Sequence, residues 1–477
     1  MDSKNLSTMK KYITILFSFL SIFAKAQDNY TLKYMPQLQQ SQWYDATNLP
    51  DTKVSIGFPA ISGFSFYVYN SGFTFHDVFQ TINDSTKGVN MGKIFNQLKP
   101  VNYISFGAQV PIFSINIAKQ NVSAGFSISD KMDMQFSYPA DMFKLLWYGN
   151  GHYLGQNLEV GNFGLNASWY REFAFHIAVK HNKWTFGINP KILVGKTNIN
   201  TKQSSIIMNT DTSFYKVKAT ANMNFQTSGI ADSADNANGG YFGSTSSAVD
   251  YLFNVNNIGH AIDLGVKYEI SEHLNVSAGI NNLGYIHWAS YLHDYSVYNQ
   301  TFNFDGLHAE NFLQGDSTAL ASQTLNDSLK NLIKFNKTSD AYTTNLPYDI
   351  YLMANYQFKH NWFGLMFSAR HFNSQFLYSG TAAYQLKLGK HFSGTVTYTL
   401  KSYSPFNIGG GLVLQFLNMQ YFFVTDNWYA AVAPLDSKNA NLTFGMNMVV
   451  GNRIRKKGTP EAVDFQPVKD APVEEKK

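Results

Sequence analysis

Between residues 261 and 281 apolar and polar side chains alternate with a period of two. Ile262, Leu264, Val266, Tyr268 and Ile270 interleave with Asp263, Gly265, Lys267 and Glu269. After Ser271-Glu272-His273 the pattern resumes, with Leu274, Val276, Ala278 and Ile280 between Asn275, Ser277, Gly279 and Asn281. Such a period sends the two sets to opposite faces of a strand and predicts a hairpin. A second hairpin reads Phe173, Phe175, Ile177 and Val179, a turn at His181-Asn182-Lys183, then Trp184, Phe186, Ile188, Ile192 and Val194. Pro190 cannot donate to a ladder, so a bulge or local break is expected there. Leu442, Phe444, Met446, Met448 and Val450 repeat the pattern near the end of the chain.

Carried along the chain, this reading predicts fourteen strands at 54–69, 102–118, 122–137, 172–180, 184–194, 262–270, 274–282, 348–357, 362–370, 381–389, 391–400, 409–417, 418–424 and 440–450. The connections then sort by parity. Those near 119–121, 181–183, 271–273, 358–361, 389–391 and 417–418 are short. Those at 70–101, 138–171, 195–261, 283–347, 371–380, 401–408 and 425–439 include every long one. Short turns on one rim and long loops on the other are the plan of a transmembrane β-barrel, with both termini at the periplasmic rim. The stretches 160–170 and 205–225 leave room for one further pair. Pro59 and Pro111 predict interruptions, and Gly57 and Gly63 sharp bending, in the first two strands.

Composition agrees. Aromatic residues make up 16% and charged residues 14%, against roughly 25% charged in a soluble domain. No internal run approaches the 18 apolar residues of a spanning helix, which excludes a helical membrane protein. A secreted β-sandwich or solenoid is the competing class, but would carry more surface charge. Trp184 and Trp362, just past short turns, suit the periplasmic membrane boundary, and Trp288 and Trp428 the opposite rim.

The first residues read as an export signal: Lys4, Lys10 and Lys11, an apolar run over residues 12–23, and Ala24-Lys25-Ala26 before Gln27. Met9 is an alternative start. Cleavage after residue 26 removes four lysines and one aspartate from a chain of net charge +5, leaving about +2. No nucleic-acid partner is implied. Absence of cysteine excludes a lipoprotein anchor, disulfides and thiolate chemistry. The expected organisation is a signal peptide (1–26), a barrel (27–452) with extracellular insertions at 195–261 and 283–347, and a disordered periplasmic tail (453–477). The first insertion holds a polar Gly/Ser/Asn/Ala tract at 227–247. The second holds Leu325, Leu329, Leu332 and Ile333 at helical spacing. Arg453, Arg455, Lys456 and Lys457 form a basic patch ahead of a Pro-, Lys- and Glu-rich end.

Catalytic, cofactor-binding and metal-binding residues are not expected. No phosphate-loop, nucleophile-elbow or zincin pattern occurs. The twelve histidines are dispersed, with His176 opposite the apolar set of its strand and His181 and His273 in turns. The lumen-facing series Asp263, Lys267 and Glu269 is the nearest polar constellation, suited to wall packing, to holding a plug or to lining a channel.

Several short motifs recur in order: Val54-Ser55-Ile56-Gly57-Phe58-Pro59 with Ile61-Ser62-Gly63, Tyr170-Arg171-Glu172-Phe173, Ile262-Asp263-Leu264-Gly265-Val266-Lys267-Tyr268, Asn282-Leu283-Gly284-Tyr285-Ile286-His287-Trp288, and Leu346-Pro347. Over residues 30–452 the chain resembles a Bacteroidota family of outer-membrane proteins of uncharacterised activity. Their barrel is like that of the long-chain fatty-acid transporter. It is more distantly similar to the PorP/SprF-type membrane proteins of type IX secretion and gliding. The resemblance implies an outer-membrane location among lipids and transfers no catalytic residue. It leaves two readings. The first is a non-catalytic accessory or scaffold barrel, with envelope protein partners reached through loops or tail. The second is a passive transporter of small hydrophobic solutes.

Overall fold

The structure, a computed structural model, describes residues 29–452 except 79, 84–85, 89–90, 214–215, 230–254, 305–335, 373–374, 390 and 402–403. The expected signal peptide, the helix at 325–333, the tail from 453 and nearly all of the tract at 227–247 lie outside the described residues. The expected periplasmic placement of the mature termini falls there too.

Fourteen antiparallel strands close into a ring. They are β1 (Thr52–Asn70), β2 (Val101–Lys119), β3 (Val122–Pro139), β4 (Gly164–His181), β5 (Trp184–Thr210), β6 (Ile258–Glu269), β7 (Leu274–Trp288), β8 (Tyr348–Phe358), β9 (Asn361–Phe372), β10 (Gln375–Leu388), β11 (Phe392–Lys401), β12 (Ser404–Phe416), β13 (Met419–Thr425) and β14 (Asn439–Asn452). Each pairs with the next. The ring is sealed by β14 on β1, from Thr52 opposite Asn452 to Tyr69 opposite Asn439. Closure leaves no unpaired edge, which a sheet surrounded by hydrocarbon requires.

All six short connections lie on one rim, the turn side. Residues there adopt positive φ: Gln120, Asn182, Lys359, Gly389, Leu417 and Asn418. Left-handed backbone at these positions matches the twist of the flanking strands and keeps the hairpins tight. The opposite rim is the loop side. Two of its expected loops are much shorter than their sequence suggests. β10 begins at Gln375 and β12 at Ser404, because Phe376, Tyr378, Phe406 and Ile408 continue the outward apolar face. The stretch at 160–170 becomes the loop-side half of β4 rather than a new strand. That at 205–225 extends β5 and forms Val217–Ser228, which pairs with β5 above the ring. Val217–Ser228 pairs in turn with Leu292–Phe304. Pro190 produces a gap without a register shift. Pairing stops at Ala174 opposite Lys191 and resumes in phase at Ile177 opposite Ile188.

The faces are inverted relative to a soluble protein. Leu365 is 66% exposed on the outside, and Leu352, Phe367 and Phe186 are exposed likewise. Ser393, Thr395, Thr397 and Thr399 of β11 are buried inside. A continuous apolar outer band is stable only against lipid. A buried polar wall must find hydrogen-bond partners.

Those partners come from the chain itself. Residues 29–51 descend through the lumen as a plug, with a helical turn at Tyr30–Lys33 and a 3-10 turn at Gln39–Trp43. Leu32, Met35 and Leu38 pack on Val413, Phe422 and Val424, each contributing roughly 1.5–3 kcal/mol by burial. Asp426 accepts the N–H groups of Tyr30 and Thr31 (3.2 and 2.8 Å). Ser379 donates to the Tyr30 hydroxyl (2.8 Å), and Asn281 to the Tyr44 carbonyl (2.7 Å). At the turn side Lys387 pairs with Asp51 (2.9 Å). The plug approaches β5 so closely that a Cβ at Gly187 would lie 2.1 Å from the Ala46 carbonyl oxygen. Gly187→Val is therefore expected to push the plug off the wall. Limited proteolysis should cut residues 29–51 in the variant and spare them in the wild type, with the ring intact in both.

Candidate functional site

The wall is broken at one place in β1. Pairing with β2 stops at Gly57 opposite Ser114 and resumes at Ser65 opposite Gln109. Seven residues of β1 thus face four of β2. On the other flank Gly57 opposes Asn447 and Ser62 opposes Gly445, so four residues face one. The surplus is three on the β2 flank; on the β14 flank it is three by Ser62 and four once Gly63 is passed, where Phe64 opposes Phe444. The surplus is visible as Pro59, Ala60 and Ile61, which stand exposed on the lipid face where the alternation should bury every second residue. Ala60 has φ 61° and Gly63 φ 99°. Left-handed backbone at an alanine costs on the order of 1 kcal/mol, which the surrounding ring must offset. Across the break Pro111 of β2 lacks an N–H, and β2 carries its own register shift between Pro111 and Phe113. Two prolines, a strained alanine and a left-handed glycine lie where a spanning wall should be most regular.

Behind the break stands the plug. Gln40 donates to the Ser62 hydroxyl (2.9 Å) and to Asn447 (2.6 Å), and accepts from the Asn447 amide (3.0 Å). Gln39, in the amide orientation that satisfies both its ends, donates to the Ser55 carbonyl (3.2 Å) and accepts the Gly57 N–H (3.3 Å). The side chains of Gln40 and Trp43 leave no room for a side chain at Gly63, whose Cβ would sit 3.0 Å from each. Two plug amides and an indole therefore close the lumen side of the gap and satisfy backbone groups that the missing ladder leaves over.

A second anchor is electrostatic. Asp45 accepts from the Thr47 N–H (2.9 Å), the Thr47 hydroxyl (2.6 Å) and the Tyr351 hydroxyl (3.0 Å), and Lys267 of β6 lies 3.9 Å away. Burial alone would raise its pKa. Lys267 and the three hydrogen bonds outweigh that and hold it below the ordinary 3.8. A depressed carboxylate adds stability that is fully present above 3.8 and lost as pH falls through its native value. The stability difference between wild type and Asp45→Asn should stay constant from neutral pH to about 5 and shrink below 3.8. Thermal melting across that range checks it.

The predicted trio Asp263, Lys267 and Glu269 does not meet as one site. Asp263 is fully buried in the wall, accepting Asn189 (3.0 Å) and the Asn282 N–H (2.7 Å) and pairing with Lys191 (2.8 Å). Lys267 holds the plug, and Glu269 pairs with Lys180 by the turn. Lys191 also reaches Asn282 (2.6 Å) and approaches Glu172, which Lys131 binds at 2.8 Å. His176 is buried beside this network, 2.9 Å from the Ser127 hydroxyl; His181 and His273 occupy turns. Among the described residues no group of three His, Asp or Glu is placed to hold a metal ion.

Two tryptophans sit as expected at the turn side: Trp184 is exposed beside Tyr268, and Trp362 lies under Lys387. Trp428 is exposed at the other rim. Trp288 is not a membrane-boundary residue. The bulge at Asn282 turns it inward, where it is fully buried with Tyr170, Leu193, Ile286, Tyr342 and Leu346 and donates to Thr344 (2.8 Å). Short motifs far apart in sequence thereby converge on one cluster. Arg171 of the same motif as Tyr170 faces outward and forks Asp130 (2.7 and 2.9 Å). The plug and the break were missed as a unit. Their only sequence signals are Pro59 between Gly57 and Gly63, and a Gln-, Asn- and Tyr-rich stretch without alternation.

The solved structures that resemble this one include a toluene transporter, TodX, of Pseudomonas putida (8% identity, 86% of this chain and 92% of that one, TM-score 0.36). A mutant of the monoaromatic hydrocarbon channel TodX matches at 9% identity over 84% of this chain and 92% of that one (TM-score 0.39). A FadL homologue of Pseudomonas aeruginosa matches at 8% over 84% and 92% (TM-score 0.35). No curated protein matches the chain. Residues 47–426 match a family of unknown function, DUF5723, and by that match over most of its length the chain belongs to this family.

Proposed function

We propose that this chain is a passive transporter of small hydrophobic solutes in the outer membrane, delivered there by its first 26 residues and oriented with the turn side toward the periplasm. The observation that carries this reading is the three-residue surplus in β1, backed by Gln39, Gln40 and Trp43. A plug that fills the lumen leaves a solute no straight passage from rim to rim. A break in the wall at membrane level offers another exit, sideways into hydrocarbon. That route favours apolar solutes, because a polar one would lose its hydrogen bonds on leaving. A scaffold that recruits partners through loops has no use for strained backbone in its lipid-facing wall, and this places transport ahead of the accessory reading.

The test is uptake of the hydrophobic dye N-phenyl-1-naphthylamine by a Gram-negative host whose outer leaflet normally excludes it. Expression of the full chain should raise dye entry without raising entry of a small sugar. Sugar entry without dye entry, or recovery of the native protein only in a stoichiometric complex with no uptake, would count against transport.

A further inference from the structure

A cavity of about 230 Å³ opens inside the loop-side mouth of the barrel, away from the break in β1. Its lining is mostly polar. Asp133 of β3, Asn166 and Ser168 of β4 and Asn345 meet there, with Phe372 and His371 on one wall. Asp133 is only 6% exposed and accepts one hydrogen bond, from the Tyr67 hydroxyl at 2.7 Å. Among the described residues it has no ion-pair partner. A buried carboxylate with one acceptor site filled is costly unless something else meets it. Asn166 accepts the Thr201 N–H (3.0 Å) through its oxygen, and its amide donors have no partner among the described residues. Asn198, by contrast, is consumed by the wall, donating to Ala167 and Ser168 and accepting from Tyr342. The groups left facing the cavity thus include an acceptor, Asp133, beside amide donors, Asn166 and Asn345.

That mixture selects among ligand chemistries. A carboxylate only accepts and would be repelled by Asp133. An ammonium only donates: Asp133 and amide oxygens could accept from it, but the amide N–H groups of Asn166 and Asn345 would be left without an acceptor. A hydroxyl both donates and accepts, so neighbouring hydroxyls can satisfy the carboxylate and the amides together. The ring of Phe372 supplies an apolar patch for the C–H side of a ring, beside His371, whose own ring is stacked on Tyr348 at 4.9 Å.

We propose that this cavity binds an uncharged, hydroxyl-bearing head group, a sugar or polyol moiety, with Asp133 accepting from it and Asn166 and Asn345 donating to it. The site is independent of the route through β1, and its test does not involve transport. Full mature protein in nanodiscs is titrated with n-octyl β-D-glucoside below its micelle concentration and followed by saturation-transfer NMR, with empty nanodiscs as the baseline. Saturable transfer to the sugar-ring protons is expected, weakened at least tenfold in Asp133→Asn and in Asn166→Ala. Asp133→Asn keeps an oxygen for Tyr67, so the fold is retained; Tyr67→Phe should leave binding within twofold. Octanoate and octylamine should not displace the glucoside. Displacement by either one, an unchanged affinity in Asp133→Asn, or no saturable signal on the sugar ring would overturn the proposal. Loss of dye uptake with intact glucoside binding would sink the transport reading and leave this site standing.

Discussion

Removing Pro59, Ala60 and Ile61 is expected to abolish dye uptake, by at least tenfold, without harming assembly of the barrel. The register makes this deletion specific. With those three residues gone, Phe58 falls opposite Met446, and Gly57 and Ser62 keep their partners Asn447 and Gly445. On the other flank, four residues of β1 then face four of β2 between the Gly57–Ser114 and Ser65–Gln109 pairs. The β2 ladder can then close fully, and the β14 ladder keeps only the one-residue bulge at Gly63. Backbone N–H and C=O groups now lacking strand partners would pair, so stability should hold or rise. Retained heat-modifiable migration on gels shows that the ring has formed. If the shortened protein forms a normal ring and admits dye as before, the break is not the route.

Lys191→Met is expected to cost roughly 3–5 kcal/mol, the usual penalty for removing one member of a buried charge cluster. Lys191 lies in the lumen wall between Asp263 (2.8 Å) and Glu172 (3.8 Å) and donates to Asn282 (2.6 Å). Lys131 still neutralises Glu172 in the variant, but Asp263 keeps only its hydrogen bonds from Asn189 and Asn282. Equilibrium unfolding in detergent measures the loss. The double variant Lys191→Met with Asp263→Asn should recover a large part of it, because the uncompensated charge goes with its partner. Equal losses in the single and double variants would mean that Lys191 acts through packing of its stem instead.

The division between what could be read in the chain and what could not follows from the range of the interactions. Strand identity was legible because alternation is local. Ile262, Leu264 and Val266 announce their face without reference to anything distant, and all fourteen strands and six short turns lie where the pattern puts them. Lipid sharpens that signal, since an outward-facing charge is costly and few occur. Strand ends were less legible where the alternation passed through small residues, as at Ser379 and Gly380 after the outward Tyr378. The plug was illegible for a different reason. Gln40 is held by Asn447, 407 residues away, and Asp45 by Tyr351; a polar segment folded against a polar wall has no hydrophobic period to show. Pro59 and Gly63 marked an irregularity in β1. That it is a three-residue surplus, closed from inside by two glutamines and a tryptophan, depends on the partners' register on both flanks, which only the closed ring sets.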